Sequence, residues 1–162
     1  MKIAVFPGSF DPFTIGHESI VLRSVNLFDK IIIGVGLNTS KSGFLSMEKR
    51  MLLISDIFKN VPNVEVKTYS GLTTDFCKEN NAVYLLRGLR TSADFEYERA
   101  IAQVNKVMYP ELETVFILTL PEHSAISSSI VREIIKHKGN ARMFVSGNID
   151  YDFYFNTIDT VK

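Results

Sequence analysis

Short apolar runs alternate with amphipathic stretches along almost the whole chain. Residues 3–6 are uniformly apolar, the length of one buried strand. Pro7, Gly8 and Pro12 interrupt that run, and a helix is expected over 16–28, where Ile20, Val21, Val25 and Phe28 recur at helical spacing. Residues 30–36 carry three consecutive isoleucines, the pattern of a strand covered on both faces. A polar loop over 38–44 follows. Ser46 then caps a second helix with Glu48 in its first turn and a stripe of Met47, Met51, Ile54 and Phe58.

Beyond a turn at Pro62 and Asn63, the pattern predicts a strand over 64–67, a break at Gly71, a helix over 74–80 and a strand over 83–86. Residues 87–92 read as a loop. The helix after it runs to Met108, with Phe95, Ile101, Val104 and Met108 on one side, and ends before Pro110. A fifth strand spans 114–118. The last core helix begins among Ser127, Ser128 and Ser129, carries Ile130, Val131, Ile134 and Ile135 on one face, and stops at Gly139.

Strands separated by helices predict an α/β fold built on a doubly wound, five-stranded parallel sheet. No repeat, linker or low-complexity tract divides the chain. It reads as a single domain over 1–162, with a core of about 1–140 and a helical tail of about 141–162. That tail holds Tyr151, Phe153, Tyr154 and Phe155, and a helix there can pack on the body or on another subunit.

Charge and cysteine content narrow the class. Lys plus Arg equal Asp plus Glu, 18 each, which argues against a general nucleic-acid binder. The single cysteine, Cys77, excludes an internal disulfide and is expected to be a buried thiol; with no apolar run of membrane-spanning length, the expectation is a soluble cytoplasmic protein without membrane partners.

In an open parallel sheet, ligands bind beyond the carboxyl ends of the strands. After the first strand come Ser9, Phe10, Thr14, Gly16 and His17, the last in the first turn of a helix. Lys41 follows the second strand, Leu72 and Thr73 the third, and Arg87, Gly88 and Arg90 the fourth; His123, the three serines and Arg132 follow the fifth. Taken singly, each has a plain alternative: turn former, helix cap or solvated charge. Together they place three cationic side chains, an imidazole and two helix N-termini on one predicted face, the makings of a polyanion site. Neither a Walker A sequence nor G-x-G-x-x-G occurs, and no Ser-His-Asp set or metal-ligand spacing is evident. His137, in the last turn of its helix, reads as structural.

Thr14-Ile15-Gly16-His17 resembles the T/H-x-G-H element of the nucleotidyltransferase superfamily, with its Rossmann-like fold. The segments 7–12 (Pro-Gly-Ser-Phe-Asp-Pro), 87–90 (Arg-Gly-Leu-Arg), 94–98 (Asp-Phe-Glu-Tyr-Glu) and 126–129 (Ile-Ser-Ser-Ser) are similar, in order and spacing, to those of the phosphopantetheine adenylyltransferase family. The resemblance covers about residues 1–140. It implies transfer of an adenylyl group from ATP to 4′-phosphopantetheine, giving dephospho-coenzyme A and pyrophosphate in coenzyme A biosynthesis. It also implies Mg²⁺ carried mainly by the ATP phosphates, a homohexamer, and coenzyme A as feedback inhibitor.

By position, the resemblance assigns Ser9, Lys41, Leu72, Thr73, Arg87 and Asn105 to phosphopantetheine. It assigns Ser9, Phe10, His17, Gly88, Leu89, Arg90, Glu98, His123, Ser124, Ala125, Ile126, Ser127, Ser128 and Ser129 to ATP, with His17, Lys41 and Ser9 catalytic. Phe6 stands where many members carry Tyr, Ser9 where Thr is common, and His123 where Trp or Tyr is frequent. The acceptor phosphate is already an anionic nucleophile and needs no general base, so the expected task is positioning and electrostatic stabilisation. Two alternatives stay open at this point. One is a related adenylyl- or cytidylyltransferase with another phosphorylated acceptor; the other is a non-catalytic nucleotide-binding sensor.

Overall fold

The computed structural model describes residues 1–37 and 43–156. Lys41 lies outside the described residues, as does the end of the tail. Five strands form one sheet: β1 (Ile3–Gly8), β2 (Lys30–Gly36), β3 (Val64–Tyr69), β4 (Tyr84–Leu89) and β5 (Glu113–Leu118). All pair in parallel, in the order β3-β2-β1-β4-β5. The helices are α1 (Ile15–Ser24), α2 (Met47–Phe58), α3 (Thr73–Glu79), α4 (Ser92–Met108), α5 (Ser128–Lys136) and α6 (Tyr151–Phe155), with short 3-10 turns at Pro121–His123 and Arg142–Phe144.

Two-residue periodicity sorts the strands between two cores. Ala4, Phe6, Ile31 and Ile33 face the larger core, joined by Ile20 and Val21 of α1 and by Leu53 and Ile54 of α2. Ile3, Val5 and Ile32 face the smaller one with Phe76 and Cys77 of α3. The isoleucine run is therefore a doubly covered strand, and Cys77 is fully buried, where desolvation pushes its thiol up to about 12. The tail packs on the body: Tyr151, Tyr154 and Phe155 are buried in the larger core, and the Tyr154 hydroxyl donates to Asp56 of α2.

Three expectations are corrected. Helix α1 ends at Ser24, four residues before Phe28, with the Ser24 hydroxyl returned to the Ile20 carbonyl at 2.7 Å. The segment 87–92 is only partly a loop, because Arg87, Gly88 and Leu89 pair with Phe116, Ile117 and Leu118 as the end of β4. The apolar side of α4 is not core. None of its residues is buried, and Phe95, Val104, Val107 and Met108 are exposed; an edge contact between Phe95 and Phe116 ties that side to β5. On α5, Val131 is buried while Ile130 faces solvent.

The strand order reverses at β1, since the chain winds outward through β2 and β3 and then restarts at β4 on the other side. That is the point where an open α/β sheet leaves a crevice. Here the crevice is widened by pairing. β1 matches β2 through Gly8, but it matches β4 only at Ala4↔Tyr84 and Val5↔Leu85. Beyond those pairs β1 and β4 part.

Candidate active site

Arg87 bridges the parted strands, its Nη1 donating to the Pro7 carbonyl at 2.9 Å. Two cavities open on either side of this bridge. One, of about 550 Å³, is lined by His17, Gly88, Arg90, His123, Ser127 and Ser128 among others. The second, of about 530 Å³, is lined by Tyr69, Leu72, Thr73, Asn105 and Met108 among others. Pro7, Gly8, Ser9, Arg87 and Glu98 belong to both and form their common wall.

The assignments drawn from the sequence divide between the two, apart from Ser9, Arg87 and Glu98 on the common wall. Ser9, Phe10, His17, Gly88, Arg90, Glu98, His123, Ile126, Ser127 and Ser128 line the first cavity. Ser9, Leu72, Thr73, Arg87 and Asn105 line the second. Four residues fall outside both. Leu89 is buried, the Ser124 hydroxyl is turned to the Pro121 carbonyl, Ser129 accepts from Arg132, and Ala125 is not part of either wall. Conversely, Thr119 lines the first cavity and Tyr69 the second with no sequence-based assignment, and Asp94 and Tyr97, from the 94–98 segment, line the first with no ligand assigned to them. Thr119 directly follows β5, so the strand-end rule itself points to it.

His17 sits at the third position of α1 and completes a capping box with Thr14. The Thr14 hydroxyl accepts from His17 N–H, and the Thr14 amide donates to His17 Nδ1 at 3.0 Å. A ring nitrogen that accepts an amide N–H carries no proton, so the neutral ring is protonated at Nε2. Three phenylalanines surround the imidazole, with centroids at 5.2 Å for Phe10 and Phe13 and 6.3 Å for Phe6. This desolvation, with smaller contributions from Arg90 and Arg87, lowers the His17 pKa to about 4. At neutral pH, His17 is an uncharged donor.

The cations at the end of β4 are not bare. Asp94 and Glu98, one helical turn apart on α4, reach back to them. Arg87 donates from Nε to Glu98 at 2.8 Å and from Nη2 to the other carboxylate oxygen. Arg90 meets Asp94 at 3.2 Å. The expected cluster of free cations is thus a pair of arginines, each oriented by a carboxylate. At the other rim, Ser127 caps α5 and accepts from Ile130 N–H, so the serine run ends at a helix N-terminus aimed along the first cavity.

The turn after β1 is held by two side chains of α5. Arg132 Nη1 donates to the Asp11 carbonyl at 2.7 Å, and Ser128 Oγ to the Pro12 carbonyl at 2.8 Å. The buried Asp11 carboxylate accepts from the Phe44 and Leu45 amides, each at 2.7 Å. It therefore anchors the end of the segment that carries Lys41. Gly8 is required here because a Cβ would stand 2.7 Å from two ring carbons of Phe10.

No three His, Cys, Asp or Glu side chains among the described residues form a group that could hold a metal ion. The two carboxylates nearest the common wall are engaged by arginines. This donor set suits an ion that arrives with a polyphosphate better than a resident one. No helix among the described residues is long and apolar enough to cross a membrane.

Known proteins resemble this chain in sequence and in fold. Residues 5–134 match the Cytidylyltransferase-like family model. The chain is 50% identical over 150 residues to a phosphopantetheine adenylyltransferase of Cytophaga hutchinsonii, covering 93% of this chain and 97% of that one. It is 50% identical over 145 residues to the Flavobacterium johnsoniae protein of the same name, covering 90% and 95%. Among solved structures, the nicotinic acid mononucleotide adenylyltransferase of Plasmodium falciparum, complexed with NaAD, shares the fold at a TM-score of 0.70 and 19% identity, over 98% of this chain and 97% of that one. A split cavity at the β1/β4 switch, together with half of all residues shared along nearly the whole chain, means that this protein belongs to the phosphopantetheine adenylyltransferase family.

Proposed function

We propose that the first cavity takes ATP and the second takes 4′-phosphopantetheine, and that the acceptor phosphate attacks the α-phosphorus in line across the common wall. The observation that carries this reading is the division of the site. Two cavities of similar size meet at Ser9 and Arg87, and the one richer in helix N-terminus and cations is the one that contains His17. The products are dephospho-coenzyme A and pyrophosphate.

Each residue then has a task of placement or charge stabilisation. Neutral His17 donates its Nε2 proton in a hydrogen bond to the α-phosphate as charge builds there, and no proton is transferred. Ser9 orients the attacking phosphate. Arg87, held by Glu98, grips the acceptor from the wall. Arg90 and the α5 N-terminus hold the β- and γ-phosphates that leave. Lys41 bridges acceptor and α-phosphate; Asp11 fixes the far end of its segment at Phe44 and Leu45. Glu98 reaches the ribose only by sharing its carboxylate with Arg87. Mg²⁺ enters as part of the nucleotide substrate and offsets phosphate charge.

The exposed apolar side of α4 supports an assembly in which another copy covers it, and we carry the homohexamer over from the family resemblance. We carry feedback by coenzyme A over from the family resemblance; two adjoining cavities, one proposed for each end of such a molecule, support it. We place the reaction in the cytoplasm, where ATP is supplied. Incubation with Mg²⁺ and 4′-phosphopantetheine, with ATP in one arm and CTP in the other, tests the reading by the mass of the product. Dephospho-coenzyme A from ATP alone is expected. A product from CTP, or none from either, overturns it. Native mass measurement tests the hexamer.

A further inference from the structure

Arg50 stands on the apolar side of α2, between the spacings of Met47 and Ile54, and it is buried. A guanidinium in that place needs a reason, because burying a charge is costly unless its donors are satisfied. It lines neither cavity. Its Nη1 donates to the Ser9 carbonyl at 2.8 Å, and both its Nη2 and the Asp11 carboxylate approach within 3.2 Å of where a Cβ on Gly43 would stand.

The other half of that peptide unit is the Phe10 amide. In a trans peptide the C=O and N–H point in opposite directions. With the Ser9 oxygen turned back to Arg50, the Phe10 N–H is turned away from it, toward the side on which Ser9 and Phe10 line the first cavity. Phe10 itself has φ +47, a left-handed conformation that a phenylalanine seldom adopts. A half-turn of the Ser9–Phe10 peptide about its long axis would bring φ back to negative values. It would also replace the N–H by a carbonyl oxygen, in a cavity built for phosphate.

We infer that Arg50 is a positioning residue which locks the Ser9–Phe10 peptide against this flip and so presents the Phe10 amide to the nucleotide's phosphates. Packing of the Phe10 ring against Phe6, Phe13 and His17 fixes the side chain, and the Arg50 hydrogen bond to the Ser9 carbonyl holds the peptide plane. The inference rests on ATP occupying the first cavity.

Calorimetric binding of ATP and of adenosine, compared in wild type, Arg50→Lys and Arg50→Met, tests it. Arg50→Met should weaken ATP by about tenfold or more, the scale of one hydrogen bond to a charged group, and leave adenosine unchanged. Arg50→Lys, which keeps one donor, should stay within about threefold of wild type. Equal losses for ATP and adenosine, or ATP binding unaltered in Arg50→Met, would overturn the inference. Should Arg50→Met fail to fold, wild type labelled with ¹⁵N at Phe10 decides the matter. Its amide resonance should shift on addition of pyrophosphate alone, and a silent amide counts against the lock. Failure of the wild type to bind ATP at all would instead sink the reading of the first cavity.

Discussion

Glu98 holds Arg87 with both carboxylate oxygens, and Arg87 holds the Pro7 carbonyl across the gap between β4 and β1. The cation proposed to anchor the acceptor is thus oriented by a side chain that lines both cavities. Hydrogen bonds involving charged groups contribute about 1.5–3 kcal/mol, so Glu98→Gln should lower kcat/KM for phosphopantetheine by roughly tenfold. Because the two residues act as a unit, the losses in Arg87→Ala and Glu98→Gln should be strongly non-additive in the double variant. Additive losses in steady-state kinetics would separate the two roles.

The Thr14 amide and the phenylalanine ring cluster make a titration prediction for His17. Its folded-state pKa lies below that of the unfolded chain, so between the ordinary value of 6.5 and about 4 the unfolded state takes up the proton and the native state does not. Stability is unaffected by this residue above that window and falls as pH drops through it. In ¹⁵N-imidazole spectra of the free protein, His17 should keep its Nε2–H neutral form from pH 8 down to 5. Titration near 6.5, or an Nδ1–H tautomer, contradicts the donor geometry.

His17→Ala removes one preorganised donor and should lower turnover by about a hundredfold to a thousandfold, with a smaller effect on ATP binding. Lys41→Ala should impair both turnover and acceptor affinity. Near-normal turnover in the first variant, or a change confined to ATP affinity in the second, would reassign them. Steady-state kinetics with each substrate varied in turn distinguishes these outcomes.

A methyl group at position 8 would collide with the Phe10 ring. Gly8→Ala should therefore cost about 1–3 kcal/mol, a fall of several degrees in Tm, and should reduce turnover because Phe10 packs on His17. A lowered Tm with unaltered turnover would mean that the Phe10 ring does not govern the imidazole.

Tyr154 is fully buried and ties the tail to α2. Truncation to alanine should cost about 3–5 kcal/mol, as for other large aromatic deletions, and urea unfolding will measure it. A cost below about 1 kcal/mol would show that the tail adds little to the core.

Much of this was legible in the residues. The isoleucine run, the Ser46 and Ser127 caps and the Gly/Pro turn each have a local cause, so strand order apart, the fold followed from pattern. The placement of Ser9, His17, Arg87 and Thr73 followed from the rule that ligands gather at strand ends. What pattern does not show is pairing between distant elements. The sequence marks 94–98 as a family-like segment and assigns Glu98 to ATP, but that Glu98 and Asp94 hold Arg87 and Arg90 appears only in the folded chain. Arg50 did carry a signal, a charge on an apolar stripe, but its partner lies 41 positions away. The end of α1 at Ser24 and the exposed side of α4 depend on tertiary contacts that periodicity alone does not specify.

The common wall has a kinetic consequence. With the substrates placed as proposed, the joined product would occupy both cavities at once and behave as a bivalent ligand whose second end binds intramolecularly, at high effective concentration. Each substrate would leave by breaking one set of contacts, whereas dephospho-coenzyme A would have to vacate two. The long product is then expected to leave more slowly than either substrate, and the enzyme to slow as that product accumulates.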